Sequence, residues 1–425
     1  MANPADFRVK DYSFFYPGAS LSLVLTEAFP GLKTKTLSFL KLRGAISKTG
    51  NVNVGAYSLE NTLIAPGDFP YGDLLGFSAS NVLRQPTYEP EFVRNNEVGI
   101  EAGFNDNKIN FEATAYRQEN TNQVITAQLS STTGYTSALV NAADFTNEGL
   151  ELDLKLTPLV KLGDFSVDFK INYTRQQNLV NSIADNLGLK ELGVGNGLFV
   201  VKGQSAYTFK LTDYERDSLG RVKIYPNGLP KQATAVKQFG QNLPKNLLGL
   251  SINVNWRQIS LSIVADHRSG NQILNQIGST LDFAGLSARS ATNGRQPFLF
   301  PNSVVVDGTG KVLGENTSLY TTGGYNFWSQ PINRGIQSNY LTSGAFWKLR
   351  EVAMTYTFPS TMFKGKGLKG MTASITGRNL ATWIPSTNQW TDPEFSNTTG
   401  NAQGVNTVFN TPPTRLFGAN ITLNF

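Results

Sequence analysis

The sequence predicts an all-β protein, an antiparallel transmembrane β-barrel with long extracellular loops and short periplasmic turns. Apolar and polar residues alternate through many segments of the chain. Charged residues make up only 16%, below the roughly 25% of soluble domains. The chain also closes on an alternating segment whose last residue is Phe425. Because successive strand side chains point to opposite faces, such segments present one apolar and one polar surface, as strands between lipid and water do.

The first predicted strands run over residues 19–25 and 40–46. A hairpin follows, in which Val98, Ile100, Ala102 and Phe104 alternate with polar or small residues before the turn "NDNK". Its second strand covers residues 109–115. Asparagine and aspartate favour turns, so this hairpin is predicted to close tightly.

The next hairpin pairs "LELDLKL" (150–156) with residues 165–173 through a turn at 161–164. "LLGLSINVNW" and "ISLSIVADH" form another, separated by Arg257 and Gln258. Residues 352–358, 371–375 and 417–425 complete a set of roughly a dozen strands, several of them longer than the usual five or six residues. Long strands suit a wide layer such as a bilayer.

The spacers between hairpins are unequal. Some are tight turns, whereas residues 268–340 form a long segment rich in Asn, Gly, Ser and Thr. Short turns on one rim and long loops on the other are typical of outer-membrane barrels. Within the long segment, "VVVDGTGKVL" (304–313) predicts a small hairpin. Residues 179–192 are the best candidate for an amphipathic helix and are interpreted as a short loop helix.

Composition excludes several classes of function. The chain has no cysteine and one histidine, so a disulfide framework, a thiol nucleophile or a Cys/His zinc site is excluded. Basic residues are scattered, which argues against nucleic-acid binding. The sequence contains no run of about 18 apolar residues, so no membrane-spanning helix is predicted. The start lacks a secretory signal, so we expect either a mature or truncated chain or a cytoplasmic one.

No motif predicts catalysis or a cofactor. "GTGKVLG" (308–314) and "GVGNG" (193–197) lack the strand and helix context of phosphate-binding loops and are predicted to be turns. His267, the one imidazole, follows a strand in phase with its apolar residues, and we interpret it as an interfacial or loop-base histidine rather than a triad member. The protein is therefore predicted not to be an enzyme.

Several stretches near the C-terminus and upstream carry a family resemblance. "AFWKLREVAMTYTFP" (345–359), "LKGMTASITGRNLATWIPSTNQWTDPEF" (368–395) and "PPTRLFGANITLNF" (412–425) resemble the C-terminal end of SusC/RagA-like TonB-dependent transporters of Bacteroidetes outer membranes. "LSFLKLRGAISKTGN" (37–51) resembles an upstream segment of that family. The order and spacing agree along nearly the whole chain, so residues 1–425 resemble the C-terminal part of such a barrel.

This resemblance implies the barrel portion of an importer of glycans or peptides in the cell outer membrane. A complete relative would work with a SusD-like surface lipoprotein and take energy from TonB through a plug domain. The plug and the TonB-contacting segment have no counterpart in this sequence, and the strands fall short of the 22 of such transporters. A passive porin-like or adhesin-like barrel without a plug is the alternative, and a soluble β-scaffold enzyme is the third class.

The candidate substrate-binding residues lie in or beside the long loops. Exposed rings there could stack on a substrate, and loop carboxylates could bind it, with packing within the loops and ordinary solvated charge as the competing interpretations. Four other aromatic residues at or near strand ends are predicted to anchor the membrane interfaces, and polar residues such as Glu151, Asp153, Lys155, Asp168 and Lys170 to face a wet interior. The candidate binding residues are Trp328, Trp383, Trp390, Asp392 and Glu394, and the predicted interfacial anchors are Tyr173, Trp256, Tyr356 and Phe358.

Overall fold

Long antiparallel strands form wherever the sequence alternates. The computed structural model describes residues 14–51, 62–65, 74, 76–84, 89–183, 190–317, 319–320, 323–363, 367–396 and 403–425. The chain divides into two units, Met1–Ala206 with Leu248–Ser262, and Tyr207–Leu247 with Ile263–Phe425. The predicted all-β class is confirmed.

Eleven strands lie in the described part of the chain before residue 206. They are β1 (Gly18–Val24), β2 (Leu37–Asn51), β3 (Leu63–Ile64), β4 (Ser78–Ala79), β5 (Val82–Arg84), β6 (Glu91–Phe104), β7 (Ile109–Gln128), β8 (Ser137–Leu162), β9 (Phe165–Ile183), β10 (Glu191–Gly195) and β11 (Leu198–Val201). The long ones are ordered β1-β2-β6-β7-β8-β9, with β15 following β9 in the sheet.

Fifteen strands lie in the described part after residue 206. They are β12 (Thr208–Leu211), β13 (Val222–Ile224), β14 (Lys237–Gln241), β15 (Asn246–Trp256), β16 (Ile259–Ser269), β17 (Gln272–Asn275), β18 (Phe298–Leu299), β19 (Ser303–Val306), β20 (Val312–Glu315), β21 (Leu319–Tyr320), β22 (Leu341–Ser343), β23 (Phe346–Thr357), β24 (Gly370–Trp383), β25 (Val405–Asn406) and β26 (Leu416–Asn424). In the second unit, the long strands are ordered β16-β23-β24-β26.

Helices are short and lie between strands. They are α1 (Leu25–Ala28), α2 (Ile277–Phe283), α3 (Gly323–Trp328) and α4 (Pro331–Gly335), with 3₁₀ turns at Pro30–Leu32, Ser131–Thr133, Ala288–Arg295, Gln337–Tyr340 and Ser360–Phe363. Among the described residues, no helix has both the length and the apolar character needed to cross a bilayer.

The register of the first unit separates apolar from polar residues. One row across six strands is almost wholly apolar: Leu23, Leu42, Ile100, Ala113, Leu152 and Tyr173 are consecutive partners. The neighbouring row, on the other face, is polar: Lys41, Glu101, Glu112, Asp153 and Asn172. The predicted two-sided character of these strands is therefore confirmed residue by residue.

The apolar face of these strands is exposed. Leu21 is 74% exposed, Ile46 57% and Val98 63%, although full burial of such side chains would stabilise a soluble fold by about 2 kcal/mol each. The second unit repeats the pattern, since Ile375 is 59% exposed and Ile421 64%. Among the described residues, no second protein layer covers these apolar rows.

The predicted turns form as expected. Asn105, Asp106 and Asn107 take φ of 50°, 59° and 61°, the left-handed region that these residue types tolerate best after glycine. β8 ends at Leu162 and β9 begins at Phe165, and Arg257 and Gln258 separate β15 from β16. The hairpin predicted over 304–313 is the antiparallel pair β19–β20.

Two expectations about the first unit are wrong. The predicted loop helix at 179–192 is strand where it is described, because β9 continues to Ile183 and β10 begins at Glu191; residues 184–189 lie outside the described residues. Val180 and Ile183 pair with Phe145 and Ala143 of β8, so cross-strand pairing overrides the helical spacing. For the same reason Tyr173 lies inside β9 rather than near its end.

The segment 268–340 contains short elements and shares a packed core with residues 214–224. Tyr214, Val222, Ile224 and Ile336 form a buried cluster against Phe300 and Val305. Beside this cluster, Asp213 accepts hydrogen bonds from Lys237 at 2.8 Å and from Ser338 at 2.8 Å. Burial alone would raise the pKa of Asp213, but these bonds outweigh it and lower that pKa. The long segment is therefore held against Asp213 by a hydrogen bond from Ser338 as well as by apolar packing.

Candidate functional site

The loop after β24 is held in shape by its own side chains. Asn388, which is buried, donates from Nδ2 to the Thr391 carbonyl at 2.9 Å and accepts from the Trp390 amide at 3.2 Å. Asp392 accepts from the Glu394 amide at 3.0 Å. Local side-chain caps of this kind are the reason Asn and Asp are common in turns. They fix the positions of the Asp392 and Glu394 carboxylates.

Those carboxylates pair with two cations of β23. Lys348, only 5% exposed, places Nζ 2.7 Å from Asp392 and 2.6 Å from Glu394. The Arg350 guanidinium donates to both Glu394 oxygens at 2.7 Å. The interpretation of Asp392 and Glu394 as ordinary solvated charges is wrong, because β23 supplies counter-ions that the loop sequence does not show.

A third element, β16, completes the cluster. Asp266 accepts from Arg350 at 2.5 and 2.7 Å, and Arg268 lies 3.2 Å from Glu394. Three cations thus meet three carboxylates. Burial alone would raise the pKa of Glu394, but hydrogen bonds from Arg350 and Lys348 outweigh it and lower that pKa to about 2. Glu394 is therefore ionised at every physiological pH, and the cluster is electrically balanced.

Four members of the charged cluster, Lys348, Arg350, Asp392 and Glu394, form one wall of an open cleft of about 1040 Å³. The remaining wall mixes polar and apolar residues from the end of β24, the loop after it and the segment before β26. It comprises Asn379, Ala381, Thr382, Phe395, Ser396, Thr411, Pro412, Pro413, Thr414 and Arg415. Among the described residues, Arg415 has no ion-pair partner, and it is exposed. A cleft with many hydrogen-bonding groups and one available cation suits a polar, partly anionic ligand.

The predicted tryptophans do not share this cleft. Trp328 and Trp390 are half-buried and stack on the guanidinium of Arg289, whose Cζ lies 4.1 and 5.0 Å from their ring centres. Tyr340 provides a third ring at 4.7 Å. Arg289 also pairs with the fully buried Asp282. This arrangement joins loops that are distant in sequence, so packing within the loops is the role that the geometry favours for both tryptophans.

Trp383 lies at the end of β24 and is 58% exposed. It pairs with Trp347, whose ring His267 stacks at 4.7 Å. Trp383 does not line the cleft, although its neighbour Thr382 does. Asp392 and Glu394 are thus the two predicted binding residues that the structure places at the cleft, and their binding role stays a prediction.

Sequence reasoning missed Lys348, Arg350, Asp266 and Arg268. The sequence does contain one signal. Lys348 and Arg350, like Asp266 and Arg268, are two positions apart on a strand, which places both side chains of each pair on one face. Their meeting with residues 392–394 depends on the path of the loop, and no local pattern encodes that path.

The family comparison agrees with this architecture. The model of the TonB dependent receptor-like β-barrel family matches residues 2–380. The chain belongs to this family. TonB-dependent receptor P26 of Formosa agariphila is 22% identical over 96% of the chain and 42% of its own length. TonB-dependent receptor P3 of the same organism is 20% identical over 93% of the chain and 40% of its own length.

Solved structures show the same fold. The RagAB peptide importer in its closed-closed state matches with a TM-score of 0.72 at 18% identity, over 99% of this chain and 44% of that chain. Its open-open state matches with a TM-score of 0.70 at 18% identity, with the same coverage. The chain spans less than half the length of the relatives it matches. The predicted SusC/RagA-like resemblance and β-barrel class are confirmed, and this family is one of receptors and transporters rather than enzymes.

Proposed function

We propose that this chain is the wall portion of a TonB-dependent importer in the cell outer membrane. The observation that carries the proposal is the separation of faces: apolar rows on one side of the strands are exposed, while the other side carries Lys41, Arg43 and their carboxylate partners. Lipid on the first face and water on the second satisfies both without a second protein layer. The short hairpin turns would then face the periplasm and the long loops the outside.

The cleft beside Lys348 is the proposed contact surface for the imported solute. The polar groups of its lining and the available Arg415 suit a peptide or an acidic oligosaccharide, which offers many hydrogen-bonding groups and a carboxylate. A surface lipoprotein that covers the loops and a TonB-linked plug are the proposed partners, as for an importer of this class. No described side-chain arrangement favours a passive pore.

Fractionation and binding test the proposal together. We expect the full chain to sediment with outer membranes and to need detergent for extraction. In detergent, Arg415→Ala should weaken binding of a peptide or uronate-oligosaccharide library about tenfold, the value of one charge-assisted hydrogen bond. Arg378→Ala is the matched control, because Arg378 pairs with Glu351 and does not line the cleft.

Two results would contradict the proposal. Full solubility without detergent would exclude the membrane wall. Equal binding by the wild type, the Arg415 variant and the control would exclude this cleft as the contact surface.

A further inference from the structure

The apolar face of the first unit carries a groove of about 620 Å³. Its walls include Leu21 of β1, Ile46 of β2 and Val98 of β6, and its floor is formed by small residues, among them Gly44 and Ala115. The register places Leu21, Gly44, Val98 and Ala115 in one row across four strands. An open apolar groove on a surface that is proposed to face lipid has room for an alkyl chain.

The groove exists because Gly44 has no side chain. Gly44 lies in regular strand, and its φ is not in the left-handed region that requires glycine. A Cβ built there would meet one atom within 4 Å, the Glu97 carbonyl oxygen at 3.7 Å, which is ordinary contact. Backbone geometry therefore does not demand glycine at this position, and a larger residue would fit by filling the groove.

Two cations lie at one end of the groove, where β2 ends and β6 begins, beside the long connection between these strands. Lys48 and Arg94 are directly opposite partners on β2 and β6. Together with Ala19 and Ile46, which also line the groove, they border a second cavity of about 350 Å³. Like charges directly opposite one another destabilise a strand pair. An anion between them would remove that repulsion.

The neighbouring charges leave this pair available. Glu119 is the register partner of Arg94 on β7, but it lies 3.3 Å from Arg117, which also holds Glu148 at 2.8 Å. Lys48 places Nζ 4.1 Å from the centre of the Phe92 ring. Among the described residues, neither Lys48 nor Arg94 has a carboxylate within ion-pair distance, and both side chains are exposed.

We propose that this surface binds a membrane lipid, with an acyl chain in the groove at Gly44 and a headgroup phosphate between Lys48 and Arg94. The inference rests on the proposed position in the outer membrane, where this end of the apolar band meets the outer-leaflet headgroups. Basic residues at such a border attract anionic lipid, and their alkyl stems can follow the apolar surface. Charge complementarity selects a phosphate-bearing lipid over a neutral one.

Native mass spectrometry of the full chain in detergent tests the proposal. Diphosphorylated lipid A and an uncharged glycolipid are the two lipid probes, and inorganic phosphate is a third. We expect one lipid A to bind tightly, with the glycolipid and free phosphate each at least tenfold weaker. The double variant Lys48→Gln with Arg94→Gln should lose about tenfold in lipid A affinity, and Gly44→Leu should lose binding of both lipids.

The matched control removes two cations at the short-turn rim, Lys108→Gln with Lys161→Gln. Lipid A binding that falls equally in both double variants, or in neither, would overturn the proposal, as would phosphate binding as tightly as lipid A. A protein chain recovered on this face in place of lipid would do the same. A chain that sediments with outer membranes but retains no lipid contradicts this inference alone, whereas a chain soluble without detergent contradicts the proposed function as well.

Discussion

Two clusters of charge lie on polar sides of strands, one around Arg43 in the first unit and one around Arg350 in the second. Arg43 pairs with Glu97 and with Glu112 at 2.9 Å, and Lys41 pairs with Glu101 at 2.9 Å. Those side chains are 26–40% exposed, and all of them come from strands. The Arg350 cluster includes Lys348 at 5% exposure and takes two carboxylates from a loop.

The difference shows how water determines the value of a charge pair. Solvent screens partly exposed pairs, so each contributes about 1 kcal/mol or less. A buried cation whose partners are removed costs several kcal/mol, because the charge cannot be rehydrated. The first cluster has two cations and three carboxylates, and solvent screens the attraction between them. In the second cluster, three cations neutralise three carboxylates, and these ion pairs hold the loop after β24 against β23.

The largest expected effect comes from removing the buried cation. Lys348→Met removes the cation that pairs with the 8%-exposed Asp392 carboxylate, whereas Glu394 keeps Arg350. We expect the free energy of unfolding to fall by about 4 kcal/mol. Protease should cut within residues 384–396 well before the strands. Denaturant unfolding in detergent with limited proteolysis measures both effects.

The control for that variant is Lys155→Met, which removes an exposed lysine on the polar face of β8. A loss of similar size in the control, or an unaltered loop in the Lys348 variant, would show that burial does not distinguish these sites.

A smaller effect is expected from Glu394→Gln, about 2 kcal/mol at pH 7, because charge-assisted hydrogen bonds from Arg350 and Lys348 are lost. The effect should depend on pH. The folded pKa of Glu394 lies near 2, below its ordinary value of 4.5, so its stabilisation is full above pH 4.5 and is lost as pH falls towards 2.

Unfolding midpoints at pH 7, 4 and 2.5 measure this convergence of wild type and variant. Glu315→Gln, at an exposed position of β20, is the matched control. A constant difference between wild type and the Glu394 variant across that range would mean that the carboxylate is not held by the two cations.

The smallest effect is expected in the strand cluster. Arg43→Met should lower the free energy of unfolding by about 1 kcal/mol, with added salt recovering most of it because the remaining carboxylates repel one another. Arg257→Met, which alters a 64% exposed turn residue, should change little. An Arg43 loss as large as that of Lys348 would remove the contrast between the clusters.

The strands and the first cluster can be predicted from the sequence because both follow from period-two alternation. Period-two alternation fixes which face each side chain takes, so "LKLRG" already places Lys41 and Arg43 together. Neighbouring hairpins then bring glutamates to the same face. The apolar rows, the tight turns and the small hairpin at 304–313 follow from the same local rules.

The rest depends on contacts between distant segments. Residues 392–394 look like solvated loop charges until β23 supplies their partners, 44 to 46 residues earlier in the chain. Trp328 and Trp390 are separated by many residues in the chain, and both stack on Arg289. Helical spacing at 179–183 is real, but strand pairing with β8 outweighs it. Loop paths are set by packing, which periodicity does not encode.

The stacking of Trp328 and Trp390 on Arg289 gives the molecule a built-in optical reporter. Two of its five tryptophans sit half-buried against one cation, so displacement of these loops would expose both indoles to water at once. Their emission would move to longer wavelength while the indoles of Trp256, Trp347 and Trp383 stayed unchanged. A fluorimeter could thus follow the displacement of these loops in real time, with no dye attached.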